Sequence, residues 1–214
     1  MTISGDSKEY DLLKEMVKSS YNLEPHDYVL TCEIGVREGL GSKTMIEEIR
    51  NKYQGTYLHV GIDPYGDLSY SHYDYDISDT KDYTNKMREQ LRKDFLDYPQ
   101  FQLMNLTDQE FMKRYADGIP IYNKKSILCE KYTCVHFDGP HRTEDVIKQF
   151  VFFAQRVHRG STFCFDDYPD YNMDLIQSIA KVFGFIPIKK GEYKCVMRKE
   201  YVNCDRCCIH SRTI

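Results

Sequence analysis

The chain has no tryptophan, only 7 prolines and 12 glycines in 214 residues, and no internal repeat or low-complexity linker. These absences exclude collagen-like and linker-rich architectures and predict one domain, long enough to bury a large core. No apolar run approaches the roughly 20 residues of a bilayer-spanning helix, so no membrane partner is expected. The first eleven residues carry Asp6, Glu9 and Asp11 and lack the apolar segment of a secretory signal. The expected location is cytoplasmic. Positive charge is also scarce: 29 basic against 33 acidic residues leave a net charge of -4. A general nucleic-acid-binding surface is therefore not expected.

Tyrosine and cysteine are plentiful. Of 18 tyrosines, Tyr65, Tyr70, Tyr73, Tyr75 and Tyr83 crowd residues 65–83, which read as an irregular insertion and a possible lid. Aromatic rings there could stack on a sugar or aryl ring. Cys32, Cys129, Cys134 and Cys164 fall in or beside apolar runs, where a thiol behaves as a small hydrophobe. Cys204, Cys207 and Cys208, with His210, sit in a cysteine-rich tail, 199–214. Their spacing suits a zinc or redox site, but no second ligand pair completes a tetrahedral set.

Periodicity gives an alternating order. Residues 8–20 form an amphipathic helix within an N-terminal extension, 1–27. Residues 28–33 form a strand, 35–41 a glycine turn, 43–52 a helix with Ser42 as its N-cap, and 56–62 a strand. Helices follow at 85–98, 109–115, 143–158 and 174–183, and strands at 101–106, 132–137 and 162–165. A hairpin, 185–189 with 193–198, closes the chain. Strand-helix alternation predicts an α/β, Rossmann-like, doubly wound sheet of seven mostly parallel strands ending in an antiparallel hairpin.

Several strands end in acids. Val135-His136-Phe137 stops at Asp138, and Thr162-Phe163-Cys164-Phe165 stops at Asp166 and Asp167. Ligands bind beyond the carboxyl ends of such strands. Three carboxylates in one crevice repel unless a cation sits among them, which predicts a metal site at Asp138, Asp166 and Asp167. Carboxylate ligands suit Mg²⁺ or Mn²⁺ better than zinc. Aspartates are also ordinary loop caps, and it is the matched strand ends that favour the metal. His136, in mid-strand, reads as a core histidine.

The turn runs Glu33-Ile34-Gly35-Val36-Arg37-Glu38-Gly39-Leu40-Gly41-Ser42. Its glycine spacing is not the dinucleotide fingerprint, and it lacks the lysine of a phosphate-binding loop. Glu33 before the turn and Asp63 at the end of the next strand are acids placed to hold ribose hydroxyls.

Glu33-x-Gly35-x-x-x-Gly39-x-Gly41 resembles motif I of the class I S-adenosylmethionine-dependent methyltransferases, and Gly61-Ile62-Asp63-Pro64 resembles the ribose-binding end of their second strand. Phe137-Asp138-Gly139-Pro140-His141 and the stretch Arg159-Gly160-Ser161-Thr162-Phe163-Cys164-Phe165-Asp166-Asp167-Tyr168 are similar to macrocin-type and related metal-dependent sugar and natural-product O-methyltransferases. The spacing is also similar to catechol O-methyltransferases. The resemblance implies an S-adenosylmethionine cofactor. Glu33, Gly35, Val36, Gly39, Gly41, Ser42, Asp63, Leu106, Thr107 and Asp138 would contact it, with Leu106 and Thr107 near the adenine. It implies Mg²⁺ on Asp138, Asp166 and Asp167. His141 and Asp138 become the catalytic candidates, with His141 as general base. The acceptor would be a hydroxyl of a small molecule such as a sugar or glycosylated metabolite, and by analogy the enzyme would be a homo-oligomer. A nicotinamide oxidoreductase and a degenerate, non-catalytic cofactor-binding domain are the competing expectations.

Overall fold

Alternation along β1 (Val29–Ile34) decides how the molecule is layered. All six residues are buried, yet Leu30, Cys32 and Ile34 belong to one apolar cluster and Val29 to another. Successive side chains point to opposite faces of a strand, so both faces of β1 are covered, as in parallel α/β sheets. The computed structural model describes residues 3–5, 7–21, 28–66, 68, 72–75, 83–123 and 125–200. The cysteines and histidine of the tail, and Tyr70, lie outside them.

The strands are β1, β2 (Tyr57–Ile62), β3 (Phe101–Met104), β4 (Ile119–Asn123), β5 (Lys125–Cys129), β6 (Tyr132–Phe137), β7 (Val157–Phe165), β8 (Phe185–Lys190) and β9 (Cys195–Lys199). Seven form one sheet in the order β3-β2-β1-β6-β7-β9-β8. The first five run parallel, whereas β9 is antiparallel to both β7 and β8. The Rossmann-like sheet and its closing hairpin are therefore as expected. The β4–β5 hairpin, a separate antiparallel pair, is an addition. Its Asn123-Lys124-Lys125 connection lacks the Asn-Gly or Asp-Gly signal by which short hairpins announce themselves.

The helices are α1 (Tyr10–Ser19), α2 (Leu40–Lys52), α3 (Asn85–Asp94), α4 (Asp108–Arg114), α5 (Thr143–Ala154) and α6 (Met173–Val182). Phe150 and Phe153 of α5, Phe111 of α4 and Ile176 of α6 pack with Phe137, Phe163 and Phe165 on one face. Leu13, Met16 and Val17 of α1 and Met45 and Ile49 of α2 cover the other. Several boundaries differ from expectation, and two bear on the site. Helix α2 starts at Leu40 behind Gly39 rather than behind Ser42, which is inside its first turn. Helix α5 ends at Ala154 and β7 begins at Val157, because β-branched Val157 is drawn into register opposite Tyr132.

Candidate active site

Strands β2 and β3 lie on one side of β1, while β6 and β7 lie on the other. The loops leaving β1 and β6 therefore diverge, and the crevice between them is where open α/β sheets bind ligands. The loops touch at Gly35, at φ 83°, where a Cβ would sit 1.9 Å from the Asp138 carbonyl oxygen. Only glycine allows that approach. Two cavities meet there. One of about 340 Å³ is lined by Gly35, Ile62, Asp63, Thr107, Asp108 and Gly139, a size within the usual range for small-molecule sites. The other, about 70 Å³, is bordered by Ser7, Tyr10, Gly35, Asp138, His141 and Asp167. Tyr83 borders both.

Asp63, buried at the end of β2, has two unlike oxygens. Its Oδ2 accepts the backbone N–H groups of Val36 (3.0 Å) and Arg37 (2.9 Å), which fixes the glycine turn. Its Oδ1 is buried with no hydrogen-bond partner among the described residues. Such an atom is costly unless a ligand completes it. Burial, aided by Glu33, pushes this carboxyl up to about 7 despite the two N–H donors. The residues present thus fit a ligand hydroxyl at the mouth of β2. Thr107 caps α4 by accepting the Glu110 N–H at 3.1 Å, within a capping box. Thr107, Asp108 and Gln109 line the larger cavity, whereas Leu106 packs against the core instead.

Glu33 does not reach the cavity as a free acid. Its Oε2 accepts from Ser42 Oγ at 2.5 Å and its Oε1 contacts His136 Nδ1 at 2.8 Å. Ser42 is bonded in turn to His59 Nε2 at 2.9 Å, and His59 Nδ1 to Thr31 at 2.8 Å. Glu33 and Ser42 therefore brace the turn from beneath, and Glu33 also borders the smaller cavity. Gly41 serves the same brace, since a Cβ there would sit 1.9 Å from Glu33 Oε1. His136, fully buried as a core histidine, is part of this network.

The structure separates the three aspartates. Asp166 is 1% exposed and its Oδ2 is ion-paired with Lys194 Nζ. The same oxygen accepts from Ser7 Oγ at 2.5 Å, and Oδ1 accepts the Asp167 N–H at 2.9 Å. Burial would raise this carboxyl, but His136 and Lys194 outweigh it and hold it at about 2. Asp138 lies beside Asp166, and burial together with that neighbour's charge pushes it well above the usual carboxylate range. Asp167, in a left-handed conformation (φ 43°), turns to His141, whose Nδ1 is 3.7 Å from Oδ2. His141 Nε2 is 4.0 Å from Asp138 Oδ1.

Among the described residues two groups bring potential ligand atoms within 4.8 Å, Glu33–His136–Asp138 and His141–Asp167–Asp170, and neither is the expected aspartate set. In the expected set Asp166 has both oxygens engaged, so the donors present do not fit a divalent ion held by all three. Lys194 offsets the charge of Asp166, while Asp138 stays under that neighbour's repulsion.

Sequence reasoning missed that lysine and the segment that fixes it. Glu9, left-handed at φ 56°, accepts the N–H groups of Glu192, Tyr193 and Lys194, each at 2.9 Å. Ser7 accepts from Lys194 Nζ at 2.6 Å. Long-range pairing leaves no local signal for these contacts. The insertion also reaches the site: Tyr73 forms a β-bridge with His141, and His72 O accepts the His141 N–H at 2.8 Å.

A model of the methyltransferase domain matches residues 32–168, more than half of the chain. A comparison with curated protein sequences finds no significant match. Among solved structures, the O-methyltransferase NovP is similar over 90% of this chain and 79% of its own, at TM-score 0.63 and 13% identity. TomG of Streptomyces achromogenes, an O-methyltransferase of tomaymycin synthesis in complex with S-adenosylmethionine, is similar over 93% and 82%, at 0.57 and 9%. An O-methyltransferase from Bacillus cereus bound to S-adenosylhomocysteine is similar over 92% and 82%, at 0.59 and 9%. At these identities the structures show a shared fold. The family match spans everything from the glycine turn to the aspartates after β7, and the chain belongs to that family as a class I, S-adenosylmethionine-dependent methyltransferase.

Proposed function

We propose that this methyltransferase methylates a hydroxyl oxygen of a small acceptor such as a sugar or glycosylated metabolite. The observation that carries the reading is His141, 3% exposed, with a carboxylate near each ring nitrogen at the edge of the smaller cavity. A hydroxyl is a weak nucleophile until its proton is taken, and an imidazole flanked by acids is suited to taking it. The similar O-methyltransferase folds point the same way.

S-adenosylmethionine, when bound, supplies an electrophilic sulfonium methyl. Asp63 Oδ1 would hold a ribose hydroxyl, Gly35, Val36 and Gly39 would border the methionine portion, and Thr107 and Asp108 would flank the adenine. His141 Nε2 accepts the acceptor's proton while Asp167, beside Nδ1, stabilises the imidazolium. Holding acceptor and methyl in line supplies much of the rate. No step is assigned to Mg²⁺ or Mn²⁺, because Asp166 is already engaged.

The test is thermal unfolding with S-adenosylhomocysteine, then transfer of a labelled methyl to a panel of hydroxylated and amine acceptors. At a hundred times its dissociation constant the product should add about 2.7 kcal/mol, and Asp63→Asn should lose most of that shift. His141→Ala should keep the shift and lose turnover. Transfer confined to amines, or a shift with no turnover on any acceptor, would sink the reading.

A further inference from the structure

We propose that Lys194 supplies from within the chain the positive charge that the carboxylates at the ends of β6 and β7 require, so that this site takes no divalent metal. The inference rests on the methyltransferase reading of the same crevice and makes Lys194 a positioning residue, acting through Asp166.

Lys194 is wholly buried. A buried ammonium persists only when paired and hydrogen-bonded, and here it is both, with Asp166 Oδ2 and with Ser7 Oγ at 2.6 Å. Its place is set by the sheet. Phe165 pairs with Cys195 across the antiparallel β7–β9 ladder, so the next positions outward, Asp166 and Lys194, are opposite each other. Glu9 then clamps the Lys194 backbone N–H at 2.9 Å. Strand register and a separate segment of the chain thus bring the ammonium to Asp166.

Two of the three expected metal donors are taken up by this arrangement. Asp166 Oδ2 receives Lys194 and Ser7, its Oδ1 receives the Asp167 N–H, and Asp167 is turned toward His141. A divalent ion among these carboxylates would have to displace a buried ammonium of like sign, which strongly opposes its entry.

The test measures Mn²⁺ binding by electron paramagnetic resonance on the full chain saturated with S-adenosylhomocysteine. Wild-type protein should leave the free Mn²⁺ signal undiminished at millimolar concentration, and Mg²⁺ should not move its unfolding temperature. Lys194→Met, which empties the ammonium's place, should gain one Mn²⁺ per chain, whereas Lys194→Arg should not. Stoichiometric Mn²⁺ binding by the wild type would overturn the proposal, and so would a folded Lys194→Met that ignores Mn²⁺. Should Lys194→Met fail to fold, the wild-type titration decides alone. Loss of S-adenosylhomocysteine binding would instead count against the cofactor reading, so the two failures are distinguishable.

Discussion

The two faces of the sheet are built from alternate residues of the same strands, yet they do different work. On the α4–α5–α6 side Phe137, Phe163 and Phe165 meet Phe150 and Phe153 in a continuous aromatic core. On the α1–α2 side Thr31, Glu33, His59 and His136 form a buried polar network with Ser42. The apolar face gains its stability from area and packing, which are indifferent to pH. The polar face carries the groups beneath the glycine turn and the strand-end aspartates, where each removed partner leaves another unsatisfied. One period-2 pattern therefore supplies both a scaffold and a braced site.

The largest effects should come from breaking each face in turn. Phe163 is fully buried against Phe137, Phe150 and Phe185, and Phe163→Ala should cost about 3–5 kcal/mol by opening a cavity. Glu33→Ala removes no aromatic contact but strands Ser42 and His136, and should cost roughly 3 kcal/mol. Urea unfolding measures both. The contrast lies in the ligand: Phe163→Ala should leave S-adenosylhomocysteine affinity nearly intact once folded, whereas Glu33→Ala should weaken it by loosening the turn. Equal affinity losses in the two variants would erase the distinction between the faces.

The next effect is a pH dependence that separates the site from the core. Asp63 titrates at about 7 in the folded chain because burial disfavours its charge, with Glu33 adding to this and the Val36 and Arg37 N–H groups and the Arg37 charge opposing it. An unfolded aspartate titrates near ~3.9. Between those values the folded state holds more protons, so this group makes stability fall as pH rises from about 4 to about 7, then level off. Asp63→Asn should remove that slope from the unliganded protein. Ligand hydroxyls favour the ionised carboxylate, so S-adenosylhomocysteine affinity should climb through the same window, and calorimetric titration across pH reads it. A slope unchanged in Asp63→Asn would show that another group carries it.

What the sequence disclosed follows the same division. The aromatic face was legible because period-2 strands and amphipathic helices state their burial locally, and from them came the seven strands and their closing hairpin. Gly35 and Asp63 were legible because a glycine turn and a strand-end acid are local patterns. Leu106 was placed one residue short of the cavity, where Thr107, Asp108 and Gln109 begin to line it. Ser7, Glu9 and Lys194 were illegible, since their roles arise only when the first residues meet the β8–β9 hairpin. The aspartates were found at the correct strand ends, but the charge beside Asp166 comes from a residue 28 positions further on, outside every motif.

The smallest effect concerns the seam between the insertion and the site. Asp74 accepts the Thr143 N–H at 3.0 Å through Oδ1 and the Thr143 hydroxyl at 2.5 Å through Oδ2. Thr143 opens α5, whose N-cap Arg142 offers no side-chain bond of its own. The first N–H groups of a helix have no partner within it, and Asp74 fills that need from outside, beside the carboxylate-favouring end of the helix dipole. Asp74→Ala should cost about 1 kcal/mol, the ordinary value of a lost cap. The same bond ties residues 72–75 down where Tyr73 bridges His141, so loosening it should raise the acceptor KM while S-adenosylhomocysteine binding holds. An unchanged KM would make the contact a helix cap and nothing more, and the aromatic insertion would lose its connection to the chemistry.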